Sequence, residues 1–163
     1  MPRRGGPSAE FEFRADDTGV VLAHMDRLGS AHRGWLNLQP GFDEDDAPST
    51  ASGVFGLIFA ASVHNVPVCT WVAGAVGRTG PEPDELGVQH AAGRRIVGEL
   101  ARRGLPLPEG WRWVQDHPRR GLVVRTPVGA GHGEQLDWLL RVGLELSTVP
   151  LTGDWRALVY EGT

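Results

Sequence analysis

The chain has 163 residues, of which 40% are hydrophobic and 22% charged, and this balance favours one folded domain over a disordered chain. A formal net charge of −4 argues against general binding of nucleic acid, which requires clustered cations. The only cysteine is Cys69, which excludes an internal disulfide and a cysteine-based zinc site.

The N-terminal segment is rich in Pro, Gly, Arg and Glu, which predicts a mobile tail over residues 1–13 and a single α+β domain over residues 14–163. Apolar residues at helical spacing follow the tail: Val21, Leu22, Met25 and Leu28. This spacing predicts a short amphipathic helix that ends at Gly29.

The middle of the chain contains two apolar segments. Residues 66–73 alternate in the manner of a strand, with Pro67 near the start. Residues 54–62 form a continuous apolar run that suits a buried strand or a buried helix, since periodicity does not separate the two. We expect a strand at 54–62 that pairs with the strand at 66–73.

The C-terminal half predicts two helices and three strands. The predicted helices begin at Pro83 or Asp84 and at Gly131, and they end near Arg103 and Leu146. Short connections and β-favouring residues indicate the strands. The strands cover residues 111–116, 121–127 and 155–161, and the first two form a hairpin around HPRR.

A short pattern, PLxxxWR, occurs twice at a spacing of 44 residues and ends in Trp111–Arg112 and Trp155–Arg156. Each copy follows a predicted helix, so the order from residue 66 is βαββαβ. This order predicts a duplicated split βαβ, or ferredoxin-like, α+β fold: an antiparallel sheet backed by two helices, with an N-terminal helical or strand extension. We interpret both copies as packing corners with a buried tryptophan.

A strand at 54–62 conflicts with this topology, because the strand at 66–73 already has a neighbour on each side. Either 54–62 is a helix or the sheet order differs. The alternative order is α-βββ-α-ββ-α, which resembles small secretion-chaperone-like α+β folds in element order.

The densest polar group in the chain lies at the hairpin: Asp116, His117, Arg119 and Arg120. An aspartate can orient an imidazole for acid/base chemistry, and paired arginines can bind a carboxylate or phosphate. Adjacent strand residues point to opposite faces, however, so Asp116 and His117 need not meet, and a charged hairpin tip explains the same residues. Arg112 and Arg156 are candidate partners of this ligand-binding site.

Other patterns carry less chemistry. The acidic residues 43–46 lack the spacing of a calcium loop, and none of the six histidines forms HxH or HxxxH, so we expect no metal. GAGHGE at 129–134 follows a strand and opens a helix, where an anion can bind, but it is not a dinucleotide fingerprint. No motif for a nucleophilic serine is present.

We therefore expect a non-catalytic α+β domain that binds a protein partner or a small ligand as a homodimer. An open sheet face needs covering, and the chain has six tryptophans, a residue enriched at interfaces. The alternative is a small enzyme or anionic-ligand sensor that uses residues 116–120. We expect no cofactor, no membrane or nucleic-acid partner and a cytoplasmic location; nucleic-acid binding would need a continuous surface of Arg102, Arg103, Arg119 and Arg120.

Overall fold

Segments with alternating apolar residues form one seven-stranded sheet in the computed structural model, which describes residues 5–43 and 66–162. The predicted strand at 54–62 lies outside the described residues. The strands of this sheet are β1 (Ala9–Arg14), β2 (Trp35–Phe42), β3 (Val68–Val72), β6 (Glu85–Gln89), β7 (Arg112–His117), β8 (Gly121–Arg125) and β9 (Leu151–Tyr160). A separate two-residue hairpin contains β4 (Val76–Gly77) and β5 (Gly80–Pro81). The described helices are α1 (Gly19–Ala31), α2 (Ile96–Arg102) and α3 (His132–Glu145).

The sheet order is β1-β9-β2-β3-β6-β8-β7, and each described pairing is antiparallel. Burial alternates along the strands: Leu36 and Leu38 of β2 are buried, whereas Asn37 between them is only partly buried. The helices cover the buried face, with α3 on β3 and β6, α1 beside α3 and β2, and α2 beside β7. The fold is thus α+β, with an antiparallel sheet, as the sequence predicts.

The finer prediction, a ferredoxin-like order of neighbouring strands, is not confirmed for this sheet. The four predicted strands that lie in the described residues correspond to β3, β7, β8 and β9, but β2 lies between β9 and β3, and β6 lies between β3 and β8. From α1 to α3, apart from the two-residue hairpin, the described elements follow the alternative order α-βββ-α-ββ-α, with β1 and β9 flanking them. The structure thus does not confirm that the two PLxxxWR copies mark matching halves of the sheet.

The extra strand β6 occupies the first part of the segment predicted as a helix from residue 84 to 103. Leu86 and Val88 are buried and alternate with less buried residues, and β6 pairs with β3 on one side and β8 on the other. Gly87 and Gly93 are poor helix formers, and Gly93 has a φ of +102°. Only Ile96–Arg102 is helical.

The predicted helix after residue 18 is confirmed, with different ends. Helix α1 buries Val21, Met25 and Leu28, and it continues past Gly29 to Ala31, where His32 adopts a left-handed φ of 51°. Upstream, Ala9–Arg14 forms β1 within the segment predicted to be a mobile tail. Phe13 is buried in β1, so the alternation of FEFR gives that segment a place in the sheet.

The tryptophans of both pattern copies, Trp111 and Trp155, are buried, as predicted, but they pack against different residues. Trp111 precedes β7 and packs edge-on against Trp138 with ring centroids 5.6 Å apart. Trp155 lies inside β9 and stacks on Phe13 at 6.3 Å. Within residues 5–43 and 66–162, every helix is too short or too polar to cross a lipid bilayer.

Candidate functional site

The predicted site residues Asp116 and His117 lie at the end of β7, where the chain turns into β8. The Nδ1 atom of His117 accepts hydrogen bonds from the backbone N–H groups of Arg119 (3.1 Å) and Arg120 (3.2 Å). The lone pair of Nδ1 therefore holds the turn, and a neutral ring carries its proton on Nε2. His117 shapes the hairpin and keeps one N–H donor for a ligand.

Asp116 is directed away from His117 and toward helix α2. Its Oδ2 accepts a hydrogen bond from the backbone N–H of Val97 at 3.1 Å. Its Oδ1 is buried and has no hydrogen-bond partner among the described residues. The aspartate thus positions the start of α2 against β7, and it does not orient the imidazole of His117.

Asp116 and His117 both line a groove of about 750 Å³ between α2 and β7, which we call the α2–β7 groove. The other lining residues come from the segment before α2, from α2 itself and from β7 with its turn: Arg94, Arg95, Val97, Gly98, Trp113 and Pro118. The groove combines guanidinium groups, an exposed indole, an imidazole and a carboxylate. Such a set can bind a ligand with an anionic group and a planar or apolar part.

Two arginines that the sequence did not single out, Arg94 and Arg95, supply the positive charge of the groove. Neither makes an ion pair within the described part of the chain. Arg95 has φ 57° and ψ 45°, a left-handed conformation that is uncommon for a residue other than glycine. No motif marks this pair, because the groove forms only when α2 packs against β7.

The other predicted arginines are not part of the groove lining. Arg112 begins β7, about 17 Å along the strand from His117 at ~3.4 Å per residue. Arg119 and Arg120 lie in the exposed turn. Arg156 is on β9, five strand positions away from β7, which corresponds to about 24 Å at ~4.8 Å per strand. Arg156 pairs with Glu10, so it does not join the hairpin residues.

A continuous basic surface for nucleic acid does not form from the two arginine pairs. Arg102 and Arg103 both bind the carboxylate of Glu99, and Arg103 also pairs with Glu145. Hydrogen bonds from Arg102 and then Arg103 lower the pKa of Glu99, which keeps these charges neutralised. Of these four arginines, Arg119 and Arg120 are the two that make no ion pair with described residues.

A second polar cluster surrounds His132, in the GAGHGE segment at the start of α3. The His132 Nδ1–H donates to Asp26 Oδ1 at 2.6 Å, and Nε2 lies 3.5 Å from Asp84 Oδ2. Asp26 and Asp84 are distant from His132 in sequence, so no local spacing could reveal this arrangement. These residues line a pocket of about 460 Å³, which we call the His132 pocket.

Asp84, which lines the His132 pocket, also belongs to a buried hydrogen-bond network next to it. Gln135 is fully buried; its Oε1 accepts from the Trp71 indole at 2.7 Å, and its amide nitrogen donates to Asp84 at 3.1 Å. Asp84 also accepts from the backbone N–H of Gly74 at 2.8 Å. The network joins α1, β3 and α3, which is a structural role. The described residues contain no group of His, Cys, Asp or Glu side chains arranged to hold a metal ion.

Cys69 is not part of either cluster. It is fully buried in β3, and its thiol donates to the Leu139 carbonyl at 3.4 Å. Burial raises the pKa of the Cys69 thiol to about 12, so the thiolate needed for nucleophilic chemistry does not form near neutral pH.

Comparison with known proteins gave no match, whether to family models, to curated proteins or to solved structures. Of the α2–β7 groove and the His132 pocket, the groove is the one that presents arginines without ion-pair partners among the described residues.

Proposed function

We propose that the protein is a non-catalytic binding domain and that the α2–β7 groove binds the anionic group of its ligand. The observation that carries this proposal is that Arg94 and Arg95 line one groove with His117 and have no ion-pair partner among the described residues. Guanidinium groups bind carboxylate or phosphate through paired N–H donors. The proposed site contains Asp116 and His117 of the predicted hairpin site, with Arg94 and Arg95 in place of the predicted arginines.

Binding is favoured over catalysis because the polar groups at the hairpin do not form an acid/base pair. The Nδ1 atom of His117 is occupied by two turn amides, and Asp116 binds the amide of Val97 instead of the imidazole. A general base requires a free acceptor oriented by a second group. The exposed indole of Trp113 instead offers a stacking surface for a ligand ring.

Isothermal titration calorimetry with inorganic phosphate and phenyl phosphate tests this proposal. We expect both anions to bind, and phenyl phosphate to bind more tightly because its ring can stack on Trp113. The double variant Arg94→Gln/Arg95→Gln should raise both dissociation constants by at least about tenfold, or about 1.4 kcal/mol. Trp113→Ala should remove only the advantage of phenyl phosphate.

The matched control is the double variant Arg33→Gln/Arg78→Gln. Arg33 and Arg78 also make no ion pair with described residues, and neither lines the groove, so this variant changes the net charge equally. Equal weakening by both double variants would show a general charge effect and contradict the assignment. Absence of binding by both anions to the wild-type protein would also contradict it.

A second candidate function, self-association, is supported by the face of the sheet opposite the helices. Trp35 and Tyr160 stack on that face with ring centroids 4.9 Å apart, and Trp35 is 37% exposed. Val72, directly opposite Trp35 in β3, is 38% exposed. Aromatic residues on a sheet face that no described helix covers are typical of an interface, and we propose that a second copy of the chain covers them.

Sedimentation velocity at tens of micromolar protein tests this second proposal. We expect a dimer for the wild-type protein and a monomer for Trp35→Ser. Trp113→Ser is the matched control, since Trp113 is also exposed but lies on the helix side of β7, and it should leave the dimer intact. A wild-type monomer at these concentrations would overturn the homodimer.

A further inference from the structure

Strand β7 forms the end of the sheet and has only β8 as a neighbour among the described strands. Its outer edge therefore offers backbone N–H and C=O groups to another strand. Two apolar side chains on this strand are well exposed, Trp113 at 56% and Val114 at 46%. Val114 lies at the irregularity between Trp113 and Gln115, so the register along β8 shifts there.

Arginines outnumber acidic residues around this edge, and Asp116 is the acidic residue of β7. Arg112 is at one end of β7, Arg119 and Arg120 are at the other, and Arg94 and Arg95 lie in the groove beside it. These five arginines make no ion pair with the described residues, whereas seven other described arginines do: Arg14, Arg27, Arg102, Arg103, Arg125, Arg141 and Arg156. In a chain of net charge −4, this end of the sheet is locally basic.

The same charges disfavour a second copy of β7 as the partner. A twofold axis that pairs β7 with itself in the antiparallel sense would place Arg112 of one chain near Arg119 and Arg120 of the other. Like charges opposite each other destabilise a strand pair. The basic edge thus excludes its own copy and favours a partner with acidic side chains.

We propose that β7 binds an extended acidic peptide, which adds to the sheet as an eighth strand. This inference rests on the proposed function, because an acidic side chain of the peptide supplies the anionic group that the α2–β7 groove binds. Side chains of a strand alternate between faces, so every second residue of the peptide lies on the face of Trp113 and Asp116, beside Arg94 and Arg95. The remaining arginines pair with acidic residues at the two peptide ends.

Main-chain pairing is the feature that separates a peptide from other polyanions. β7 has six residues, which span about 20 Å at ~3.4 Å per residue, so a peptide of similar length matches it. Nucleic acid has no amide ladder to continue the sheet, and a small anion fills only the groove.

The test is a titration of the wild-type protein with fluorescein-labelled Glu-Val-Glu-Val-Glu-Val, followed by fluorescence anisotropy. Three matched peptides serve as controls. Two have the same sequence with backbone N-methyl groups on alternate residues, one on the odd and one on the even positions, and the third has Gln in place of Glu. We expect at least one N-methylated register and the Gln peptide each to bind at least tenfold more weakly. The intact protein is used throughout, so no variant needs to fold for this comparison.

Substitutions in the protein test whether the peptide binds at β7. Arg112→Gln should weaken peptide binding about threefold to tenfold, because the charge-assisted hydrogen bond to an acidic side chain of the peptide is lost. Arg156→Gln is the matched control, because Arg156 is the equivalent arginine in the second copy of the repeated pattern and lies near the opposite edge of the sheet. It should bind the peptide as the wild-type protein does.

The outcomes separate this inference from the proposed function. If phosphate binds but both N-methylated registers bind as tightly as the parent peptide, the groove binds anions and the eighth strand is wrong. If neither phosphate nor the peptide binds, both proposals fail. Tighter binding of a single-stranded oligonucleotide than of the peptide, or protein oligomers that grow with concentration through β7, would also overturn the acidic peptide as the partner.

Discussion

The two edges of the sheet contain arginines in equivalent sequence patterns but in different electrostatic settings. At the β1 edge, Arg156 pairs with Glu10, and Arg14 pairs with Asp154 at 2.9 Å. At the β7 edge, Arg112 has no ion-pair partner in the described ranges. The neighbouring strand therefore decides whether the charge of an arginine is available to a ligand. The repeated sequence pattern does not encode which strand that is.

The edges also differ in how their aromatic residues pack. In β1, Phe13 is buried and stacks on Trp155, while Phe11 stacks on His24 at 5.4 Å. In β7, Trp113 is more exposed than buried. The β1 edge therefore contributes to the core, whereas the β7 edge leaves apolar surface and positive charge open together.

The largest expected effect of a substitution is at Trp155, on the β1 side. Trp155→Ala should lower the free energy of unfolding by about 3–5 kcal/mol, because it empties a buried site between β1 and α3. Trp113→Ala at the β7 edge should cost less than about 1 kcal/mol, since the ring is mostly exposed. Urea unfolding followed by circular dichroism measures both, and equal losses would break the contrast between the edges.

The next contrast concerns two helical glycines. In α3, a Cβ atom at Gly143 would lie 2.8 Å from the Trp155 ring and 2.9 Å from the Cys69 sulfur, so Gly143→Ala should destabilise the protein by about 1–3 kcal/mol. In α2, Gly98 has nothing within 4 Å of such an atom, and Gly98→Ala should stabilise by about 0.5–1 kcal/mol. Thermal unfolding decides the signs. A stabilised Gly143→Ala variant would show that α3 packs less closely on β9.

Sequence patterns predicted the elements whose side chains repeat with one clear period. Helix α1 and the β7–β8 hairpin follow from such repeats, and so does the burial of Trp111 and Trp155. The patterns failed at β6, because Leu86 and Val88 are too few to distinguish a short strand from the first turn of a helix. That one difference changes the sheet order, since β6 separates β3 from β8.

The sequence predicts only those residues of the candidate site that are neighbours in the chain. Asp116 and His117 are adjacent in sequence, and both line the groove. Arg94 and Arg95 come from a different element and meet them only through the packing of α2 on β7, a long-range contact that spacing does not encode. The sequence pattern indicates Arg156 as a site residue, but its ion-pair partner Glu10 is 146 residues away.

The arginines themselves provide a smaller test of the edge comparison. Arg156→Gln should lower the free energy of unfolding by up to about 1 kcal/mol, because it removes an exposed ion pair, and added salt should reduce the loss. Arg112→Gln removes no ion pair with a described residue, so stability should not fall. Chemical unfolding at low and high salt measures both variants. A larger loss for Arg112→Gln would mean that its charge is already used within the chain.

The smallest expected effect is a pH dependence at the β1 edge. Burial, and then the charge of Arg27, lower the pKa of His24, whereas Glu161 acts in the opposite direction. The folded protein thus binds a proton at His24 less readily than the unfolded chain, whose histidine titrates near 6.5. Stability from His24 is fully present above about pH 6.5, and it is lost as the pH falls through the lowered folded pKa.

Unfolding at pH 7.5 and 5.5 should show a smaller stability difference for His24→Gln than for the wild-type protein. Arg27→Gln should reduce the difference in part, because it removes the second cause of the shift. An unchanged difference in His24→Gln would assign the pH dependence to another group.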